Sequence, residues 1–179
     1  MRTSLFAVCA ALATLFACEK KTQTPPAEPA KAPVEKPTEA APPSDTILLG
    51  EVGSLTGSEA AFGISTRNGI ELAIEEANAA GGVKGKKLAV RVYDDQSKPE
   101  EAGSAATRLV TQDKVVAILG EVASSNSLAM APKAQEAKVP MVSPSSTNPK
   151  VTEVGEYIFR VCFIDPFQGS VMALSSRET

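Results

Sequence analysis

The chain has 179 residues, a formal net charge of −3, three cysteines, and no histidine or tryptophan. This negative balance gives no reason to expect a nucleic-acid partner, because nucleic acids are bound by an excess of lysine and arginine. Without histidine, the common zinc sites and the histidine-based catalytic triads are excluded, so we expect no metal, no cofactor and no enzymatic activity.

Residues 1–17 have the layout of a secretory signal. Arg2 supplies a positive charge, and an apolar run without acidic residues occupies positions 5–15. The run is too short for a transmembrane helix, which needs about 20 apolar residues. The sequence LFAC at positions 15–18 resembles a bacterial lipobox, which implies cleavage before Cys18 and lipidation of that cysteine. An ordinary signal followed by an incidental cysteine is the alternative. The chain is thus expected to be exported and lipid-anchored to a membrane, facing the periplasm or the outer face of the cell membrane.

Residues 18–45 are expected to form a tether. Seven of the chain's 13 prolines lie between positions 25 and 43, and Val34 is the one apolar residue larger than alanine after Cys18. Such a stretch cannot bury enough apolar surface to fold and should be extended. A proline-rich ligand for a partner domain is the alternative, although no clean repeat supports it.

From position 46 onwards, segments typical of strands and helices alternate. Residues 47–53, a largely apolar segment bounded by glycine, predict a buried strand. A helix is predicted near 64–79, and it ends at the glycine pair 81–82. Alternating apolar residues predict a second strand over 88–92. The apolar positions that share one face of the helix near 64–79 are Ile70, Ala73, Ile74 and Ala77.

The second half of the folded segment continues this alternation. Residues 97–100 form a capping box that opens the next helix. The apolar run 115–120 predicts a strand that is buried on both faces. A helix over 124–137 follows, with Pro132 as a kink or a late start, then strands at 140–143 and 157–162 and a last helix from Pro166. The residues that the helix after the capping box should direct inward are Ala102, Ala105, Ala106, Leu109 and Val110.

This order of elements predicts an α/β fold with a doubly wound parallel sheet. Ligands of such sheets bind outside the carboxyl ends of the strands. The loops that begin at Gly53, Asp94, Glu121 and Ser143 therefore form the candidate site. Asp94 and Asp95 together suggest acid/base chemistry. Because no metal ligand or nucleophile accompanies them, we interpret them as hydrogen-bond acceptors that fix a loop.

Short motifs, each common alone, occur in a fixed order along residues 46–169. They are GSLTG at 53–57, FG at 62–63, NG at 68–69, AAGGVKG at 79–85, YDD at 93–95, SS at 124–125 and PMVSPSSTNP at 140–149. The ordered set resembles the leucine/isoleucine/valine-binding proteins of ABC transporters, which are type I periplasmic binding proteins. The resemblance implies the periplasmic-binding-protein-like I fold, with residues 46–179 as an incomplete N-terminal lobe.

The resemblance also implies an amino-acid site. Ser124, followed by Ser125, matches the serine that binds the ligand carboxylate, and the start of a helix favours an anion on physical grounds. The alternative is that both serines only cap the helix. Ser146 matches a residue whose backbone carbonyl accepts from the ligand ammonium, and Thr147 matches a threonine whose hydroxyl meets the same group. Phe62 matches an aromatic residue at the rim of the cleft, although a place in the core is the alternative.

The implied function is that of the substrate-binding lipoprotein of an ABC transporter for branched-chain amino acids. Its expected partners are the amino acid, an ABC permease, and the membrane through the lipid on Cys18. A sensory or adaptor lipoprotein that signals through the same lobe is the alternative. A dinucleotide-dependent enzyme is disfavoured, because the GSLTG loop after the first strand departs from the G-x-G-x-x-G pattern.

Members of this family close two lobes on their ligand. With one lobe, the chain is expected to be an N-terminal fragment that binds free amino acids negligibly, because half a cleft encloses little of a ligand. It is also expected to expose an apolar face, which would make its stability marginal.

Overall fold

A computed structural model describes residues 45–177 of the chain, and every structural statement below refers to that part. The predicted signal peptide, Cys18 and the tether up to position 44 lie outside the described residues, as do the last two positions. Within residues 45–177, no helix combines the length and the apolar character that crossing a membrane requires.

Five parallel strands form one sheet in the order β2-β1-β3-β4-β5. The strands are β1 (Thr46–Gly53), β2 (Lys87–Asp94), β3 (Ile118–Leu119), β4 (Met141–Ser143) and β5 (Ile158–Arg160). The predicted α/β fold with a parallel sheet is confirmed. β1 and β2 pair over their whole length, so Gly53 and Asp94 lie side by side at the carboxyl edge.

Within residues 45–177, four helices connect the strands and a fifth follows β5. They are α1 (Ala60–Ala79), α2 (Pro99–Arg108), α3 (Ser124–Ala137), α4 (Lys150–Glu153) and α5 (Asp165–Ser175), and a π-helical turn, Leu109–Asp113, prolongs α2. α1 begins at Ala60 and not near Ile64. α3 begins at Ser124 and runs through Pro132, so the proline does not delay its start. The sequence did not predict α4, because four residues are too few to show a helical period.

The predicted capping box at 97–100 is wrong. Lys98 precedes α2, Pro99 occupies its first turn, and no side chain caps the helix. The Ser97 hydroxyl instead donates to the Thr56 carbonyl at 3.1 Å and accepts from the Glu59 N–H at 3.1 Å. These partners lie in the loop between β1 and α1. A tertiary contact has therefore replaced the local hydrogen bond that the pattern predicted.

The glycine pair after α1 ends that helix, as predicted. Gly81 and Gly82 have φ angles of 105° and 77°, which glycine adopts without strain. The Gly82 N–H donates to the Ala77 carbonyl at 2.8 Å. A Cβ atom on Gly82 would lie 2.0 Å from the Lys86 carbonyl oxygen, so the turn into β2 also requires the missing side chain.

The last turn of α1 also holds the outer side of β2, which is an edge strand of the sheet. The Asn78 amide nitrogen donates to the Leu88 carbonyl at 2.9 Å, and the Asn78 amide oxygen accepts from the Leu88 N–H at 2.7 Å. One side chain thus satisfies both backbone groups of Leu88, as a neighbouring strand would do.

The hydrophobic core lies between the sheet and the pair α2–α3. Four of the five α2 positions expected to point inward are buried, whereas Val110 is half-buried. Small side chains let the two helices approach closely, since a Cβ atom on Gly103 would lie 3.3 Å from the Ala129 carbonyl oxygen. The largest apolar side chains that are fully buried are Leu109, Ile118, Met130, Met141, Val52 and Val151.

The opposite face of the sheet is covered by α1 alone among the described elements, and incompletely. Gly63 is the one buried residue of α1. Ile70 and Ile74 are half-buried, and Ala73 is exposed, so the shared apolar face of α1 is not buried as a core face would be. Val116 is 55% exposed, which contradicts the prediction that the strand at 115–120 is buried on both faces. An open apolar groove of about 390 Å³ is lined by Thr66, Gly69, Ile70, Ala73, Ile74, Leu119 and Pro144.

Candidate functional site

A groove with a volume of about 520 Å³ lies at the carboxyl edge of the sheet. It is formed by the start of α1, the start of α3 and the loop after β4, as expected for a parallel sheet. Four of the five predicted ligand-binding residues line it together: Phe62, Ser124, Ser125 and Thr147. The remaining lining residues are Glu59, Val122, Ala123 and Ser145.

The groove contains the uncapped N-terminus of α3. Ala123 is the residue before the helix, and no side chain caps it, so the alternative that Ser124 and Ser125 are caps is wrong. The Ser124 hydroxyl accepts from the Asn148 N–H at 3.2 Å and thus joins α3 to the loop after β4. The first N–H groups of a helix have no partner within it and carry the positive end of its dipole. This end of α3 can therefore bind an anion.

Phe62 lies in the first turn of α1, at the rim of the groove. Its side chain is 70% exposed, which excludes the alternative that it is a core residue. The neighbouring Gly63 explains this position, because a Cβ atom there would lie 2.1 Å from the Ser54 carbonyl oxygen. The backbone of α1 therefore touches the loop after β1 at Gly63, while Phe62 points away from that contact.

The structure separates Ser146 from the other predicted residues. Its side chain is fully buried, and its hydroxyl lies 2.8 Å from the Ser127 hydroxyl. Its carbonyl oxygen accepts from the Arg160 guanidinium at 2.9 Å and from the Cys162 thiol at 3.4 Å. The carbonyl that the resemblance assigns to a ligand ammonium is thus already bonded inside the lobe. The neighbouring Ser145 is exposed and lines the groove instead.

Arg160 fixes this register of the loop, although it is not among the site residues predicted from the sequence. Besides the Ser146 carbonyl, its guanidinium donates to the carbonyls of Asn148 and Pro149, each at 2.8 Å, and to the Thr152 hydroxyl at 2.6 Å. An arginine that satisfies several carbonyls holds a loop without the help of secondary structure. The available signal was a charged residue within the otherwise apolar run 157–163.

Asp94 fixes the loop after β1, as the sequence predicted. One carboxylate oxygen accepts from the N–H groups of Leu55, Thr56 and Gln96 at 3.0, 3.2 and 2.8 Å. The other accepts from the Thr56 hydroxyl at 2.7 Å. Partial burial acts to raise the pKa of Asp94, but these hydrogen bonds outweigh it and hold the pKa below its ordinary value of 3.8.

Asp95 is confirmed as a loop-fixing acceptor and is fully buried. Its Oδ1 accepts from the Ser54 hydroxyl at 2.8 Å and from the Ser97 N–H at 2.9 Å. Its Oδ2 accepts from the Asn126 amide at 2.8 Å. Asp95 thereby ties the loops after β1 and β2 to the first turn of α3.

Glu121 is a second fully buried carboxyl group beneath the groove. Its Oε1 accepts from the Ser54 N–H at 3.0 Å, and its Oε2 accepts from the Ala123 N–H at 2.6 Å. Burial raises the pKa of Glu121 above its ordinary value of 4.5, the Ala123 N–H opposes this, and the Asp95 charge raises the pKa further. The sequence pointed to the loop at Glu121 but not to a role for its side chain.

A parallel α/β lobe with the uncapped start of a helix in a groove at its carboxyl edge is the arrangement that ligand-binding lobes have. The sequence profile of the periplasmic binding proteins matches residues 46–175. The chain belongs to the periplasmic binding protein family.

Two solved structures with the same fold have names that state an amino-acid ligand. A leucine-binding protein LivK from Thermotoga maritima is 46% identical, with a TM-score of 0.67 over 72% of this chain and 36% of that protein. The branched-chain amino acid transporter substrate-binding protein LivJ from Streptococcus pneumoniae, solved with isoleucine, is 41% identical, with a TM-score of 0.66 over 67% of this chain and 34% of that protein.

Sequence relatives have similar names. An amino acid binding protein of Pseudomonas aeruginosa is 40% identical over 70% of this chain and 34% of the relative. The leucine-specific-binding protein of Salmonella typhimurium is 34% identical over 76% of this chain and 37% of the relative. The chain thus spans about a third of the length of the relatives that it matches.

Proposed function

We propose that the chain is the substrate-binding component of an ABC transporter for amino acids, with branched-chain amino acids as the first candidates. The observation that carries this proposal is the uncapped start of α3, which lines the groove together with Ser124, Ser125 and Thr147. The names of the relatives favour transport over a sensory or adaptor role and over an enzyme.

In this proposal, the ligand carboxylate lies at the start of α3. The Ser124 hydroxyl and the free N–H groups of that turn, including that of Ser125, donate to it. The ligand ammonium faces the opposite side of the groove, where Thr147 and Ser145 offer oxygen atoms and Glu59 supplies a carboxylate. Phe62 at the rim covers the aliphatic side chain, since an exposed aromatic ring gains by contact with apolar surface.

The organisation of the whole chain follows from the same proposal. Residues 1–17 are the signal peptide, residues 18–45 the lipidated tether, and residues 46–179 an incomplete N-terminal lobe. The match of the family profile from position 46 and the start of β1 at Thr46 support the last boundary. The family's periplasmic location supports export. Lipid on Cys18 would hold the lobe at the membrane, where it meets its permease.

Amide NMR of the full chain tests the subsite with three probes of similar shape. Leucine has both charged groups, 4-methylpentanoate has only the carboxylate, and 3-methylbutylamine has only the ammonium. Because half a cleft encloses little of a ligand, we expect weak binding that is visible only at millimolar concentration. At that concentration, leucine and 4-methylpentanoate should shift the amides of Ser124 and Ser125, while the amine leaves them unchanged. An amine that shifts these two amides as strongly as leucine does would refute the carboxylate assignment.

Two variants complete this test. Ser124→Ala removes a donor from the groove and is expected to weaken leucine binding about fivefold, the usual effect of one hydrogen bond. The matched control is Ser104→Ala, because Ser104 is exposed on α2 and its hydroxyl donates to the Glu100 carbonyl, away from the groove. Equal effects of the two substitutions would argue against the proposed site.

A further inference from the structure

Glu121 and Asp95 are two buried carboxyl groups that share one hydroxyl. The Ser54 oxygen lies 2.8 Å from Oδ1 of Asp95 and 3.1 Å from Oε1 of Glu121. A serine hydroxyl has a single hydrogen, so it donates to one of these oxygens at a time. If both carboxyl groups were ionised, the Ser54 hydrogen could lie in only one of these two contacts. The remaining contact would bring two oxygen atoms together with no hydrogen between them.

One additional proton removes this conflict. With the proton on Oε1 of Glu121, that oxygen donates to the Ser54 hydroxyl, and Ser54 donates to Asp95. Asp95 then accepts from the Ser54 hydroxyl as well as from the Ser97 N–H and the Asn126 amide. Burial and the Asp95 charge both favour the neutral form of Glu121.

Glu121 also holds the two segments that form the groove. Its side chain accepts from the Ala123 N–H directly before α3. Its carbonyl oxygen lies within hydrogen-bond distance of the hydroxyls of Ser127, Ser143 and Ser146, at 3.0, 2.7 and 3.1 Å. The residue therefore connects the start of α3 to β4 and the loop that follows it. An ionised Glu121 would place a negative charge behind the turn that is to bind an anion.

We propose that Glu121 is a positioning residue that holds a proton and thereby couples protonation to the binding of a carboxylate-bearing ligand in the groove. This inference rests on the proposed function, because it concerns the same subsite. Binding of the carboxylate favours neutral Glu121, so affinity falls as the pH rises through the raised pKa of Glu121.

The surroundings of Glu121 identify the other groups that bear on this coupling. Asp95 faces it from the loop after β2, while Asp94, from the end of β2, is held by the loop after β1. Glu59 lines the groove at the start of α1, and Arg160 on β5 is bonded to carbonyls under the loop after β4. The groups that reach Glu121 from β4 and α3 are uncharged hydroxyls.

The test measures the leucine affinity of the full chain by amide NMR between pH 5 and pH 8, where leucine keeps both its charges. For the wild-type chain, we expect a decrease of about tenfold with rising pH, the scale of one nearby charge in a partly buried site. Glu121→Gln is expected to bind with no dependence on pH. Glu136→Gln is the matched control, since it changes an exposed carboxyl group at the other end of α3, away from the groove, and should retain the wild-type affinity and slope.

A second measurement needs no ligand and no variant. The side-chain carboxyl carbon of Glu121, followed by ¹³C NMR in the free chain, should titrate above the ordinary value of 4.5. Titration at or below that value, a wild-type affinity that does not change with pH, or an unchanged slope in Glu121→Gln would overturn the inference. Absence of leucine-dependent shifts at every pH would refute the proposed function instead, so the two failures are distinguishable.

Discussion

On one face of the sheet, α2 and α3 bury a continuous set of apolar side chains, among them Leu109 and Met130. On the other face, α1 buries Gly63 alone and leaves Ile70 and Ile74 half-exposed beside an open apolar groove. The α1 side of the sheet is therefore the exposed apolar face that the sequence predicts. The free energy of folding should therefore come mainly from the α2–α3 face, because burial of apolar area is its largest favourable contribution.

Glu51 adds to the difference between the two faces of the sheet. It lies in the middle of β1, is 1% exposed, and neither of its carboxylate oxygens has a hydrogen-bond partner among the described residues. It borders a cavity of about 300 Å³ beneath α1, together with Arg67, Glu71 and Glu75. Burial raises its pKa above 4.5, and the charge of Arg67 opposes this rise. The α1 face thus contains an unsatisfied polar group, whereas the α2–α3 face is closely packed.

The largest effect is expected from Leu109→Ala on the packed face. The substitution leaves a cavity in the core and should lower the free energy of unfolding by about 2–5 kcal/mol. The matched substitution Leu72→Ala affects a leucine of α1 that is 56% exposed, and it should cost less than about 0.5 kcal/mol. Urea denaturation of both variants checks the comparison. Similar losses would show that the two faces contribute equally.

Two glycines of α1 provide the next test. Gly63→Ala should destabilise the chain by about 1–3 kcal/mol, because its Cβ atom would lie 2.1 Å from the Ser54 carbonyl oxygen and force α1 away from the sheet. Gly69→Ala, on the same helix, has no atom within 4 Å of its new Cβ and should stabilise by about 0.5–1 kcal/mol through helix propensity. Thermal unfolding gives the sign of each effect. Shifts of the same sign would mean that the contact at Ser54 is not tight.

The smallest effect concerns Glu51 and depends on pH. Because the pKa of Glu51 is raised in the folded state, the folded chain binds more protons than the unfolded chain, and stability falls as the pH rises from 4.5 through the folded pKa. Glu51→Gln removes this decrease, so its advantage over the wild-type chain should grow with pH, to about 1 kcal/mol.

The control for Glu51 is Glu75→Gln, which alters an exposed carboxyl group beside the same cavity. Urea denaturation at a series of pH values should give the wild-type pH dependence for Glu75→Gln and a flatter one for Glu51→Gln. A Glu51→Gln curve parallel to that of the wild-type chain would contradict the assignment.

The sequence predicted the sheet because strand and helix periods are local properties. The run 47–53 and the alternation in 88–92 correspond to β1 and β2, which pair along their whole length. The expectation for Val116 failed because apolar character does not reveal whether another element covers both faces of a strand. The capping box failed because Ser97 found partners in a loop that is about 40 residues away along the chain.

The candidate site was partly predictable for a related reason. Ser124 and Thr147 follow the ends of strands, so the parallel sheet brings their loops together. The difference between Ser145 and Ser146 could not be read from the sequence, because both are serines in one loop. Arg160, on the next strand, donates to the Ser146 carbonyl and so holds Ser146 against the lobe. The pairing of Glu121 with Asp95 through Ser54 likewise depends on contacts between three separate loops.

Asn78 has a consequence for the behaviour of the chain in solution. β2 is an edge strand, and unpaired backbone groups along such an edge allow strands of other molecules to add to the sheet. At Leu88, both of these groups are already bonded to the Asn78 side chain. An incoming strand would have to displace α1 from this edge before it could pair there. Asn78 therefore opposes edge-to-edge aggregation at the point where the last turn of α1 meets the sheet.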